Sequence, residues 1–139
     1  MNLTNQQIIA LAEAIAHLDG QNVNQLIEGR LVSVFRGYRI AHAARFALAR
    51  AQGTLQSAIA DFNRCRDALI KQHTGGAESI SPQHNHWQAF ITDLEALKQT
   101  AVEVKLDPIT PDQLKLEENE KAGNEFPIAV LNALSPLIK

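Results

Sequence analysis

Ala41, Ala44, Leu48, Ala51, Leu55, Ala58, Phe62, Cys65 and Leu69 recur at alternating spacings of three and four. That is the a/d register of a helix that buries one continuous seam. No proline interrupts the stretch from Val34 to Lys71, so the spacing predicts a single helix of about 35 residues, about 50 Å long. Its seam is rich in alanine in the first half and bulky in the second. A partner helix would approach closely at one end and stand off at the other.

The remaining elements are shorter. Thr4 and Gln7 stand where a capping box places them, and Leu3 and Ile8 where a hydrophobic staple does. Ile8, Leu11, Ile15 and Leu18 then continue at helical spacing to the stop at Asp19-Gly20. Residues 21–33 are ambiguous: the alternation around Val32 and Val34 suits a short strand, while Leu26, Ile27 and Leu31 also suit a helix. Thr74-Gly75-Gly76 ends the long helix and opens a loop. Ser81-Pro82, or Asn85, is expected to cap a helix of about 16 residues that carries Trp87, Phe90, Ile91, Leu94, Leu97 and Ala101 on one stripe. Leu55, Phe62 and Leu69 are expected to pack against Phe90, Leu94 and Leu97 in an antiparallel helical hairpin, because the connecting loop is short.

Val102, Val104 and Leu106 alternate with charged residues as a short strand does, up to Asp107-Pro108. Thr110-Pro111-Asp112-Gln113 resembles a cap and first turn. A short apolar helix is expected around Ile128, Val130, Leu131 and Leu134, limited by Pro136. Large apolar anchors are few between Asp107 and Phe126. The fold expectation is therefore a mainly α chain: a helical body over 1–106, with one short strand, and an extended arm over 107–139 ending in a short helix. These helix lengths allow an oligomer without requiring one.

Composition narrows the function classes. In 139 residues, 45% are hydrophobic and 20% charged, with 13 basic and 15 acidic side chains and a net charge of −2. Such a balance gives no general pull toward nucleic acid or anionic membranes. No apolar run approaches the roughly 18 residues of a spanning helix, and no basic segment with an apolar core marks a signal peptide at the start. A cytoplasmic origin is the default expectation. One cysteine excludes an internal disulfide or a multi-thiolate metal site within the chain.

No motif specifies catalysis. Gly75-Gly76 lacks the lysine and hydroxyl of a phosphate loop, and no nucleophile elbow or metalloprotease helix is present. His84-Asn85-His86, with His73 nearby, would share a face only on a strand, and this pair falls at a helix start. It reads as a solvated loop. Cys65 lies on the seam and is expected to be a small buried hydrophobe. No catalytic, cofactor-binding or metal-ligating residue is therefore expected, and no cofactor.

Charge patterning supplies the candidate contact residues. If the long helix begins near Val34, Arg36, Arg39 and Arg50 share a stripe opposite the alanine seam. Phosphates or an acidic partner could meet it, although no aromatic platform interleaves the arginines, which argues against nucleic acid. The C-terminal region carries the opposite sign, with Glu117, Glu118 and Glu120 among its acidic residues. A basic face and an acidic extension would suit head-to-tail contact between copies.

Five short segments, taken in order, carry a resemblance. They are Met1-Asn2-Leu3-Thr4-Asn5, Tyr38-Arg39-Ile40-Ala41, Arg66-Asp67-Ala68-Leu69-Ile70, Val102-Glu103-Val104 and Leu134-Ser135-Pro136-Leu137-Ile138. Together they resemble a family of small proteins of tailed bacteriophages and prophages, which begin M-K-L-T-N, end a helix on R-x-x-L-I and continue to an E-V-E-V strand. This chain departs from the pattern at Leu31-Val32-Ser33-Val34, where a Leu-Pro-Val stretch is common, and at Lys71-Gln72-His73, where K-Y-G is common. The resemblance implies a phage setting and transfers no functional residue. The expectation is a non-enzymatic structural or assembly-associated phage protein, in the tail or head–tail region, which contacts other phage proteins or copies of itself, with no membrane partner. It would reside in the virion or the host cytoplasm. The alternative is a small intracellular phage effector that binds a host protein or nucleic acid.

Overall fold

The computed structural model describes the backbone of residues 1–139 and every side chain except those of residues 21–23 and 34–36. The chain is mainly α, with 59% of it helical. Its elements in order are β1 (Asn2–Thr4), α1 (Asn5–Leu18), β2 (Gln21–Ile27), β3 (Arg30–Arg36), α2 (His42–Thr74), α3 (Trp87–Lys98), β4 (Ala101–Glu103), α4 (Leu116–Lys121) and α5 (Ile128–Leu134). Single turns of 3-10 helix cover Pro111–Leu114 and Ser135–Leu137. Two compact units share the chain. One comprises Met1–Ile9 with Gly53–Lys105, the other Ala10–Gln52 with Leu106–Lys139.

In the first unit, the expected capping box forms at the start of α1. The Gln7 backbone N–H donates to Thr4 Oγ1 at 3.2 Å, and the Thr4 N–H donates to Gln7 Oε1 at 2.9 Å. The residues just before this cap form β1, which pairs antiparallel with β4 in the register Leu3↔Val102. Asn5 ties the same junction to the end of α3, donating from Nδ2 to the Leu97 carbonyl at 2.8 Å. Leu3, Ile8, Leu55, Phe62, Phe90 and Val104 are the buried apolar residues here. Helices α2 and α3 run antiparallel, as the hairpin expectation requires. His73 near the end of α2 bonds Asp93 on α3, while Leu69 and Cys65, further back along α2, share a groove with Leu97.

Two local expectations are corrected here. Neither Ser81 nor Asn85 caps α3: the chain makes turns through 82–86, and α3 starts at Trp87 with His86 preceding it. Cys65 is exposed rather than buried. Burial along the seam runs through Ala44, Leu48, Ala51, Leu55 and Phe62 and lapses from Cys65 onward, and α3 spans 12 residues where about 16 were expected.

In the second unit, residues 21–36 form a β-hairpin, which settles the ambiguous stretch. Its strands pair from Gln21↔Arg36 to Ile27↔Arg30. Glu28 (φ 50°) and Gly29 (φ 77°) make the two-residue turn, both in the left-handed region that matches the twist of the flanking strands. The long helix begins at His42, not near Val34. Tertiary bonds account for the difference. The Ala41 N–H donates to the Gln113 carbonyl at 2.9 Å, and the Arg39 N–H and C=O are both held by the Asn119 side chain at 2.8 Å. Those backbone groups are taken by the C-terminal segment and are not available to extend the helix.

The segment expected as an arm is packed within this unit. Ile109, Leu114, Phe126, Leu134 and Leu137 are buried together with Leu11, Ile15, Leu18, Ile40 and Leu48. Thr110 and Gln113 form the expected cap, with the Thr110 N–H donating to Gln113 Oε1 at 2.9 Å. The end of the chain is tied back where Ile109 bridges Ile138, and the Lys139 N–H donates to the Ile109 carbonyl at 3.0 Å. The segment from Leu106 thus belongs with Ala10–Gln52, and the expected body over 1–106 is divided between the two units.

Candidate functional site

The residues singled out by charge lie in different structural settings. Because α2 starts at His42, Arg36 belongs to β3 and Arg39 to the connecting segment, so the three arginines share no helix face. The side chain of Arg36 lies outside the described residues. Arg39 is exposed. Arg50 projects from α2 and pairs with Asp107 at 3.2 Å, both well solvated, an arrangement worth little in stability. Glu117, Glu118 and Glu120 are exposed on α4. Glu117 and Glu118 occupy its first turn, where negative charge complements the helix dipole, and Glu118 faces Lys115 at 3.8 Å. The Asn119 side chain on α4 holds the Arg39 backbone within one unit.

Tyr38 is a junction that charge and motif reasoning missed. Its hydroxyl lies 2.8 Å from His17 Nε2 on α1, and its ring meets Phe126 edge-on with centroids 4.7 Å apart. Its carbonyl accepts from Arg45 Nη2 on α2 at 2.6 Å. Burial raises the Tyr38 hydroxyl above its ordinary value of 10.0, since desolvation penalises the phenolate. The sign of the linkage follows. The folded state holds this proton more tightly than the unfolded chain, so the contribution is complete below about pH 10 and is lost as pH rises through the folded value. Tyr38 is the only tyrosine in the chain. An alkaline titration of tyrosinate absorbance should give a midpoint above 10 in the native protein and near 10 in denaturant, and Tyr38→Phe should flatten the alkaline fall in stability.

His73, His84 and His86 gather at the loop end of the α2–α3 hairpin. His73 Nε2 donates to Asp93 Oδ2 at 2.7 Å with the His73 side chain only 10% exposed. The His86 backbone N–H donates to His84 Nδ1 at 3.0 Å. The His73 and His86 rings stand 6.0 Å apart, His73 meets Phe90 edge-on at 6.1 Å, and the Trp87 and Phe90 rings are tilted against each other at 5.7 Å. No local spacing marks the meeting of His73 with Asp93, because the two lie on different helices. Among the described residues, no group of three or more His, Cys, Asp or Glu side chains is placed to hold a metal ion.

Among the described residues of the second unit, two surfaces are candidates for recognition. The hairpin exposes Leu26 (70%), Leu31 (71%), Ile27 and Val32, and its strands pair only with each other. In the same unit a cleft of about 530 Å³ is lined by residues of α1 and α2 with Asp19 and Ile40. Phe46 and Ile128 are also exposed, singly on their helices. No described helix is long and apolar enough to cross a membrane. No protein-family model matches the chain, and comparison with curated proteins and with solved structures likewise gives no match.

Proposed function

We propose that this chain is a non-enzymatic protein of a tailed bacteriophage that works by protein–protein contact in the particle or during its assembly, in the tail or head–tail region. The observation that carries this reading is the β2–β3 hairpin. Native proteins usually guard sheet edges with charges, prolines or bulges. Strand β2 has none of the first two over Gln21–Ile27, and the hairpin presents large aliphatic side chains beside that open edge. A two-stranded sheet gains most by accepting a further strand or apolar face from another protein. The resemblance of short segments to small phage proteins suggests the setting, and other phage proteins or copies of this chain are the partners this reading names.

Mass spectrometry of purified particles tests it. The chain should be present in the particle, or its deletion should stop assembly. A double change, Leu26→Ser with Leu31→Ser, should leave stability within about 0.5 kcal/mol, as exposed substitutions do, while it removes the chain from particles or blocks their assembly. A chain absent from particles whose deletion leaves assembly unchanged would sink this reading in favour of a host-directed effector.

A further inference from the structure

The cleft in the unit formed by Ala10–Gln52 and Leu106–Lys139 combines aliphatic walls with an unmet acceptor. Ile15 and Leu18 of α1, Ile40, and Leu48 of α2 line it, and all four are buried residues. Gln52 of α2 also lines it, and Gln52 Oε1 is buried with no hydrogen-bond donor among the described residues. Folded proteins leave few such atoms without a partner. The terminal torsion of glutamine is broad, so this amide can turn to meet a donor seated in the cleft.

The rest of the lining limits the ligand. Asp19 and Arg45 are exposed lining residues of opposite sign, so a net anion or cation would be attracted by one and repelled by the other. The volume of about 530 Å³ falls in the range of small-molecule sites, which pair apolar walls with a few placed polar groups. We propose that this cleft binds a compact apolar group bearing a single hydrogen-bond donor, with the donor on Gln52 Oε1 and the apolar body against Ile15, Leu18, Ile40 and Leu48. An indole ring has this chemistry, as a free small molecule or as the side chain of a partner's tryptophan. The inference goes beyond the hairpin reading and does not depend on it.

Titration of the methyl-labelled full chain with indole, followed by NMR, tests the site. Saturable shifts are expected at the methyl groups of Ile15, Leu18, Ile40 and Leu48. 1-Methylindole keeps the ring and lacks the N–H, and it should bind roughly tenfold more weakly or worse, the usual worth of one such bond. Gln52→Leu should remove the difference between the two rings. Ala49→Leu, which adds bulk from an exposed lining position, should abolish binding without disturbing the remaining spectrum. N-acetyltryptophanamide separates the sources: binding like that of indole indicates a partner's side chain, and binding of the free ring alone indicates a small molecule. Absence of saturable shifts up to the solubility of indole would overturn the proposal. So would equal affinity for both rings in the unsubstituted chain, or undiminished binding by Ala49→Leu.

Discussion

Phe62→Ala is expected to destabilise the protein by about 3–5 kcal/mol, the usual cost of emptying a core aromatic site. Phe62 occupies the α2 seam at 6% exposure, and it is the last seam position before burial lapses at Cys65. Against the roughly 5–15 kcal/mol of a typical domain, that loss removes a large share of the margin. Urea unfolding followed by the fluorescence of Trp87, the sole tryptophan and a member of the same unit as Phe62, should register it as a lower midpoint with an unchanged slope. Cys65→Ala, one seam position on, is the internal control and should stay within about 0.5 kcal/mol. Equal effects at the two sites would mean that the seam is not buried as described.

The second large effect is expected at Asn119. Its side chain is fully buried at 0% exposure. Oδ1 accepts from the Arg39 N–H at 2.8 Å, and Nδ2 donates to the carbonyls of Arg39 at 2.8 Å and of Leu114 and Lys115 at 3.0 Å. Asn119→Ala strips both partners from the Arg39 backbone at once. The two Arg39 bonds are part-buried, so each group left unsatisfied costs the lower part of the usual range, about 1–2 kcal/mol, and a loss of roughly 2–4 kcal/mol follows. Asn119→Asp should be no milder, because it turns an oxygen toward three carbonyl oxygens in place of the donor. Hydrogen exchange gives the specific readout: the Arg39 amide should lose its protection in Asn119→Ala. Unchanged stability together with a still-protected Arg39 amide would refute the clamp.

Local rules carried the sequence reading where the structure obeys local chemistry. The Thr4/Gln7 box, the stop at Thr74-Gly75-Gly76, the Thr110/Gln113 cap and the helix at Ile128–Leu134 all depend on residues within a few positions of one another. The hairpin was obscured because its turn is Glu28-Gly29, and Glu is an uncommon residue at positive φ. Strand β2 also alternates amides with aliphatics too weakly to stand apart from a helix. Strand β1 and the true start of α2 were illegible for another reason: β4 and Asn119, which fix them, lie some eighty or more positions away in sequence. The candidate site followed the same pattern. Arg39 and Glu118 were visible as charges, while Gln52 became distinctive only once its oxygen was seen to lack a donor.

Both units are assembled from stretches separated in sequence, and this has a consequence for synthesis. Ala10–Gln52 leave the ribosome well before Leu134 and Leu137, which are buried in the same unit. At roughly 5–20 residues per second, the earlier stretch waits several seconds for its closing partners. During that interval the apolar faces of Leu11, Ile15 and Leu18 lack part of the surface that finally covers them. A helical chain of local contacts would fold in microseconds to milliseconds. Here the closing step is set by the arrival of residues near 137, and newly made chains are open to capture by a chaperone until then.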